Sequence, residues 1–209
     1  MHTAGSQDAR SRQEAVTVQR SVDTAAVSRI KHAAIEVFSE SGYGGASTRE
    51  ITKRLGLSAA AIYPHFASKE ELLFAISLDG HRGALSAVSN ADNPADDYPT
   101  RLRSVVSAFA HWQAENNALA RVVQYELHAL APAHYKVIAG LRRNTTAVIA
   151  HIVDEGTSHG DFNTPNPHDA VLAISSLCVD VCRWFPSTEH RDPARLGLAY
   201  ANIATKLVT

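Results

Sequence analysis

The sequence predicts an all-α fold of about nine helices. Apolar residues recur at intervals of three and four through most of the 209 residues, which is the spacing of one buried helix face. Serine, asparagine or aspartate precedes most of these segments, and proline often follows as the first helical residue, as is typical of helix N-termini. No stretch shows the sustained alternation expected of a β-strand.

The composition is that of a globular protein, with 45% hydrophobic, 20% charged and 7% aromatic residues. No apolar run approaches the ~18 residues of a membrane helix, and the first thirty residues lack the pattern of a signal peptide. The two cysteines, Cys178 and Cys182, make no disulfide framework. We therefore expect a cytoplasmic protein with no membrane partner.

The N-terminal part of the chain predicts three short helices. Residues 1–23 are polar and lack an apolar period, so we expect a flexible tail there. Helical periodicity begins near Ile30. Residues 47–50 (Ser-Thr-Arg-Glu) form a capping box that opens a second helix, which Gly56 ends after two turns. A third short helix is predicted from residue 59 to residue 63 or 65.

The rest of the chain predicts a helical body. A second capping box at residues 68–71 opens a longer fourth helix. Residues 90–99, rich in Asn, Asp and Pro, predict a loop and a seam between domains. Prolines suit the first turns of three later helices: Pro132, Pro167 and Pro193. We assign residues 24–72 to an N-terminal three-helix domain and residues 73–209 to the body.

The three short helices meet the requirements of a helix-turn-helix motif. The turn Leu55-Gly56-Leu57 lets the third helix leave at a steep angle and enter the major groove of DNA. Residues 28–69 carry six basic and three acidic side chains, whereas residues 70–209 carry eleven basic and fifteen acidic ones. The N-terminal end is therefore the end that suits a polyanion.

Spaced blocks within Ser28–Leu73, about a fifth of the chain, resemble the DNA-binding domain of the TetR family of regulators. The blocks include residues 47–51 (STREI), 55–58 (LGLS), 62–66 (IYPHF) and 68–73 (SKEELL). The resemblance implies binding to double-stranded operator DNA as a homodimer. The implied DNA-binding residues are Thr48, Arg49, Lys53, Ser58, Ala59, Ala60, Ala61, Tyr63, His65 and Lys69.

Within this set, the resemblance and the side-chain chemistry together assign four residues to phosphate oxygens. They are Thr48, Tyr63, His65 and Lys69. Ser58 and the N-terminus of the third helix can also meet a phosphate. Family members often carry glycine and a hydroxyl residue at the positions of Ala60 and Ala61, where this chain has alanine. Base readout would then depend on thymine methyl groups and on Arg49 or Lys53. Phe66 is predicted to be a core aromatic.

TetR-type regulators dimerise through their last two helices, and the apolar stripes over residues 171–185 and 196–207 suit that role. The expected interface residues are Val171, Ile174, Cys178, Val181, Tyr200 and Ile203.

The body also resembles a TetR subgroup that controls lipid and steroid degradation and responds to CoA thioesters. The resemblance lies in residues 121–128, 141–143, 156–162 and 178–185. Arginines could bind the CoA phosphates, and an apolar tunnel could hold the acyl chain. The expected effector-binding residues are Arg121, Gln124, Tyr125, His128, Arg142 and Trp184. Surface ion pairs for the arginines, and core packing for Trp112 and Trp184, remain the alternatives.

The expected function is a repressor that a small-molecule effector, an acyl-CoA or related lipid metabolite, releases from DNA. The alternatives are a regulator of efflux or stress genes that responds to an uncharged hydrophobic compound, and a helical adaptor that binds only protein. No G-x-S-x-G, H-E-x-x-H, P-loop or dinucleotide fingerprint occurs, so we expect no enzyme, no catalytic residue and no cofactor. The eleven histidines form no tight cluster, so no metal site is expected.

Overall fold

A computed structural model describes the backbone from residue 4 and the side chains from residue 23 to the C-terminus. These residues form eight α-helices, two 3-10 helices and no strand, which confirms the all-α fold. The α-helices are α1 (Ala4–Gly45), α2 (Thr48–Arg54), α3 (Lys69–Ala91), α4 (Tyr98–Glu115), α5 (Asn117–Tyr125), α6 (Pro132–His159), α7 (Pro167–Trp184) and α8 (Pro193–Val208). The 3-10 helices are Ala59–Ile62 and Leu127–Ala129. The tail predicted over residues 1–23 lies, apart from Asp23, outside the described side chains.

The chain divides into two compact units, Met1–Leu72 and Leu73–Thr209. Helix α3 begins in the first unit and continues through the second. The loop predicted over residues 90–99 is confined to residues 92–97 and lies inside the second unit, so the expected seam at that loop is wrong. The physical reason is that the C-terminal half of α3 packs into the core of the second unit through Ala84 and Val88.

In the first unit, α1 is interrupted at Gly42, where φ is +67°. The backbone N–H of Glu50 donates to Oγ of Ser47 at 3.1 Å, as expected at the start of α2. The core side chains of this unit are Ile30, Ala33, Ala34, Val37, Phe38, Ile51, Ile62, Phe66 and Leu72. The prediction that Phe66 is a core aromatic is therefore confirmed.

The second unit is a helical bundle in which α4 packs against α6, α7 and α8. Helices α4, α7 and α8 each begin with a proline in the first turn and a capping side chain, provided by Asp97, Asn166 and Asp192. Helices α4 and α8 approach so closely that a Cβ atom on Gly197 would lie 2.6 Å from the carbonyl oxygen of Ser107. Only glycine fits there without a shift of the backbone.

Four of the six residues expected at a dimer interface lie in the interior of this unit. Val171, Ile174, Cys178 and Val181 are each at most 5% exposed. Because they have almost no surface left to bury against a partner, this part of the prediction is wrong, and the apolar stripe of α7 faces the unit's own core. The exposed large apolar residues of the last two helices are Leu172, Leu177, Leu198, Ile203 and Leu207. Tyr200 is half-buried.

Within the described residues, no helix is both long and apolar enough to cross a membrane.

Candidate DNA interface and effector cavity

The turn after α2 has the geometry that a helix-turn-helix motif requires. Gly56 adopts φ of +68°, a conformation that favours glycine, and the N–H of Leu57 turns back to donate to the carbonyl of Thr52 at 2.9 Å. The third helix is shorter than predicted, a 3-10 helix over Ala59–Ile62. Pro64 has no N–H to donate to the carbonyl of residue 60, and its ring crowds that carbonyl, which disfavours continuation of the helix.

Three of the predicted DNA-binding residues share one exposed surface of the first unit. Arg49, Lys53 and Ala59 line an open depression of about 520 Å³ beside the turn. Tyr63 is 56% exposed, as expected for a ring whose hydroxyl contacts a partner. The other predicted residues with exposed or partly exposed side chains are Thr48, Ser58, Ala60, Ala61 and His65.

Lys69 is placed differently from the other basic residues. Its Nζ atom donates to the backbone carbonyls of Tyr43 at 2.7 Å and Ala46 at 2.8 Å. The same atom lies 4.1 Å from the centroid of the Tyr43 ring. Two of the three ammonium donors are thus used inside the unit. The sequence did not predict this, because the two carbonyls lie more than twenty residues away along the chain.

The second unit contains an internal cavity with space of about 70 Å³ for the centres of water-sized molecules. Helices α3 to α7 contribute its lining residues: His81, Ala84, Phe109, Trp112, Gln113, Ala120, Val123, Gln124, Arg142, Thr145, Thr146 and Val179. Of the predicted effector residues, only Gln124 and Arg142 line this cavity. Both also line an outer depression of about 350 Å³, which adds Tyr125.

Arg142 lies half-buried between the cavity and the depression, where its Nη1 donates to Oε1 of Gln124. Burial lowers the pKa of the guanidinium below its usual range. In the part of the chain that the structure describes, no carboxylate forms an ion pair with Arg142. The cavity therefore presents a cation that its own protein does not neutralise.

His81 supplies a second polar group in the same cavity. It is only 9% exposed, and its Nε2 atom has no hydrogen-bond partner. Burial, with the charge of Arg142, lowers the pKa of His81 to about 4, although a hydrogen bond with the backbone of Val123 opposes this shift. The imidazole is therefore neutral at neutral pH, and one ring nitrogen remains available to a ligand.

The remaining predicted effector residues do not line the internal cavity. Arg121 and His128 are exposed, and Nδ1 of His128 lies 3.1 Å from the carbonyl oxygen of Tyr125. Trp184 belongs to a separate cluster, where it meets Phe185 and His190 edge-on.

Sequence reasoning missed His81 as a cavity residue and favoured a core role for Trp112. The Trp112 ring reaches the cavity because it packs over Gly83, whose added Cβ would lie 3.1 Å from the ring. The available signal was His81 itself, a titratable residue flanked by Gly80 and Gly83 on a helix whose buried residues include Ile76, Ala84 and Val88.

A helix-turn-helix unit joined to a helical unit with an internal cavity defines a DNA-binding transcription regulator. Residues 30–76 match the family of bacterial regulatory proteins called tetR, and residues 95–208 match the tetracyclin repressor-like C-terminal domain. The chain belongs to the TetR family, which confirms the resemblance seen in the spaced blocks.

Three similar proteins illustrate the match. The HTH-type transcriptional activator FasR of Mycolicibacterium smegmatis is 40% identical over 158 residues, 76% of this chain and 71% of FasR. A solved tetR-family regulatory protein from Rhodococcus RHA1 is 48% identical, with a TM-score of 0.84 over 88% of this chain and 96% of the other. AibR, solved with isovaleryl coenzyme A and operator DNA, shares the fold with a TM-score of 0.78 at 16% identity, over 88% and 100% of the two chains.

Proposed function

We propose that this regulator is a repressor that leaves its operator DNA when an acyl-CoA or related acyl metabolite binds the second unit. The observation that carries the proposal is Arg142, a half-buried guanidinium without a carboxylate partner, placed between an internal cavity and an outer depression. A buried charge without a counter-charge is costly, and a ligand that brings negative charge or a strong acceptor recovers that cost.

The two spaces suit the two parts of such a ligand. The inner cavity has apolar walls from Phe109, Trp112 and Val123, which suit an acyl chain. Its volume accommodates only a few water molecules, so an acyl group of more than a few carbons requires the walls to move. The outer depression, which contains Tyr125 and exposed polar groups, has room for part of the CoA moiety.

Two similar proteins bear on the proposal, one in favour of the ligand class and one against the sign of regulation. AibR shares this fold and binds isovaleryl coenzyme A together with operator DNA. FasR is named an activator. The competing hypothesis is therefore that this chain activates transcription and that its ligand strengthens DNA binding. The apolar walls of the cavity also favour a second candidate, an uncharged hydrophobic effector that makes no use of Arg142.

On the first unit, we propose that Arg49, Lys53 and Tyr63 contact DNA directly. Arg49 and Lys53 flank the surface of small side chains that begins at Ala59, and small side chains allow close approach to base edges. Thr48 and His65 are proposed to contact phosphates from the margins of the same surface.

We further propose that two copies associate through the exposed apolar residues of α7 and α8. Five large apolar side chains there are at least 39% exposed: Leu172, Leu177, Leu198, Ile203 and Leu207. A group of exposed leucine and isoleucine side chains on adjacent elements marks an interaction surface. A two-fold dimer of this kind would bind two DNA half-sites and so an approximately palindromic operator.

The test begins with selection of bound duplexes from a random-sequence DNA pool. The affinity for the selected duplex is then measured by fluorescence anisotropy with isovaleryl-CoA, a long-chain acyl-CoA, free CoA and the free acids. We expect the acyl-CoAs to weaken DNA binding and free CoA to have little effect. Release by free acids or neutral lipids, with none by any CoA thioester, would contradict the CoA assignment. Tighter binding with acyl-CoA would contradict the proposed release.

A further inference from the structure

We infer that Lys69 is a positioning residue that fixes the start of α2 for DNA binding, rather than a phosphate contact. The inference rests on the DNA-contact residues proposed above. Its basis is that the Lys69 ammonium already donates to the carbonyls of Tyr43 and Ala46 at 2.7 and 2.8 Å and lies over the Tyr43 ring.

The carbonyls held by Lys69 lie in the segment from the last turn of α1 to the start of α2. They follow Gly42, where the helical conformation of α1 is interrupted, and precede Ser47, the N-cap of α2. Hydrogen bonds from a charged donor are stronger than neutral ones, so one ammonium that donates to both carbonyls restricts the direction in which the chain enters α2. The ring of Tyr43 adds a cation–π contact and packs against Phe38 in the core.

A second cation holds the other end of the same helix. Arg54, the last residue of α2, forms ion pairs with Glu36 and Glu40 on α1. Its pKa is raised, chiefly by the hydrogen bond with Glu40. The segment that leads into α2 is therefore held by a lysine of α3, and the last residue of α2 is held by two carboxylates of α1. The helix carries Arg49 and Lys53 between these two contacts.

The two roles for Lys69 predict different dependences on salt. A lysine on a phosphate releases a counterion, so its loss reduces the slope of log affinity against log salt by about 0.9. A lysine that only orients α2 lowers affinity without changing the number of phosphates neutralised. Its loss should therefore shift the plot by a similar factor at every salt concentration.

The experiment compares Lys69→Met and Lys69→Arg with Lys53→Met, an exposed lysine on α2 that serves as the matched control. Binding to the selected duplex and to a random-sequence duplex is measured across a salt series at a temperature where unfolding curves show each variant fully folded. We expect about tenfold weaker binding for Lys69→Met with an unchanged slope, and a slope reduced by about one for Lys53→Met.

Lys69→Arg separates charge from geometry. A planar guanidinium keeps the charge but cannot place a single nitrogen between both carbonyls and the ring as an ammonium does. We expect it to bind DNA more weakly than wild type with the wild-type slope, and it remains informative if Lys69→Met does not fold. The inference is overturned if Lys69→Met reduces the slope by about one while Lys69→Arg restores affinity, or if folded Lys69→Met binds as wild type. If wild type binds neither duplex, the proposed DNA-binding function fails first.

Discussion

The side chains of Arg142 and Gln124 are joined by a hydrogen bond that lies between the internal cavity and the outer depression of the second unit. Both residues line both spaces, so a ligand that extends from one space to the other must pass this contact. Gln124 satisfies one donor of the guanidinium but brings no negative charge. A ligand that supplies a carboxylate or a phosphate can therefore replace Gln124 with a gain in electrostatic energy.

The first prediction concerns this cation. Arg142→Met should reduce the acyl-CoA response by at least about tenfold, because a charge-assisted hydrogen bond contributes about 1.5–3 kcal/mol. DNA affinity without ligand should remain near that of wild type. Arg143→Met is the matched control, since Arg143 is the exposed neighbour on the same helix. Titration of acyl-CoA into the protein–DNA complex gives the comparison, and an unaltered response in Arg142→Met would remove Arg142 from the site.

The second prediction concerns pH and His81. The pKa of His81 is 6.5 in the unfolded chain and about 4 in the folded one. Between pH 4 and pH 6.5 the unfolded state therefore binds more protons than the folded state. Stability should therefore fall as the pH is lowered from about 7 towards 4, by about 3 kcal/mol from this residue.

Urea unfolding of wild type, His81→Gln and the exposed control His151→Gln at several pH values measures the effect of His81. The pH dependence between 6.5 and 4.5 should diminish in His81→Gln and persist in His151→Gln. Carboxylates with lowered pKa, such as Asp97, lose their contribution at lower pH and should affect all three proteins alike. Equal slopes for all three would show that His81 does not titrate as a buried group.

The third prediction concerns association. Leu172→Glu and Ile203→Glu place charges on the exposed apolar residues of α7 and α8 and should weaken a dimer at least about 100-fold, since a two-fold interface doubles each change. The protomers should stay folded by circular dichroism. Ile174→Glu, at a buried position of α7, should unfold the protein instead. Sedimentation velocity measures the outcome, and a dimer that survives both exposed substitutions would place the interface elsewhere.

The fourth prediction concerns the close approach of α4 and α8. Gly197→Ala should destabilise the protein by about 1–3 kcal/mol, because the new methyl group would meet the backbone oxygen of Ser107. Gly140→Ala is the control within α6, where an added Cβ meets only an arginine side chain at 3.8 Å. That change should stabilise by up to about 1 kcal/mol through helix propensity. The midpoints of denaturant unfolding measure the change in stability of each variant. Equal changes for the two variants would contradict the close approach of α4 and α8.

The positions of most helices can be predicted from the sequence, because the capping residues that start a helix are its near neighbours in the chain. The capping box at Ser47 and the caps Asn166 and Asp192 are short-range contacts, and the structure contains each of them. The cap of α4, Asp97, lies within the segment predicted as a loop. The third helix is shorter than its sequence predicts, because Pro64 removes a hydrogen-bond donor from a helix of only one turn.

The direction that a helix face points was harder to predict. The apolar stripe through Ile174 and Cys178 on α7 predicts an interface, yet these residues lie in the core of the unit, and exposed residues such as Leu172 lie on another face. The spacing of apolar residues predicts that one helix face is buried. It does not predict whether that face packs against the core of the same chain or against a second copy. The sequence also does not distinguish Arg121 from Arg142, since both are arginines within predicted helices of the body. Only Arg142 lines the cavity.

The position of Trp112 gives the protein an optical reporter of its own. The chain has two tryptophans, and Trp112 lines the internal cavity while Trp184 lies in a separate aromatic cluster. A ligand that enters the cavity changes the polarity and quenching groups around Trp112, whereas Trp184 contributes emission from outside the cavity. Intrinsic fluorescence of Trp184→Phe should therefore report occupancy directly, without DNA or an added label, and screening of small molecules can begin from that signal.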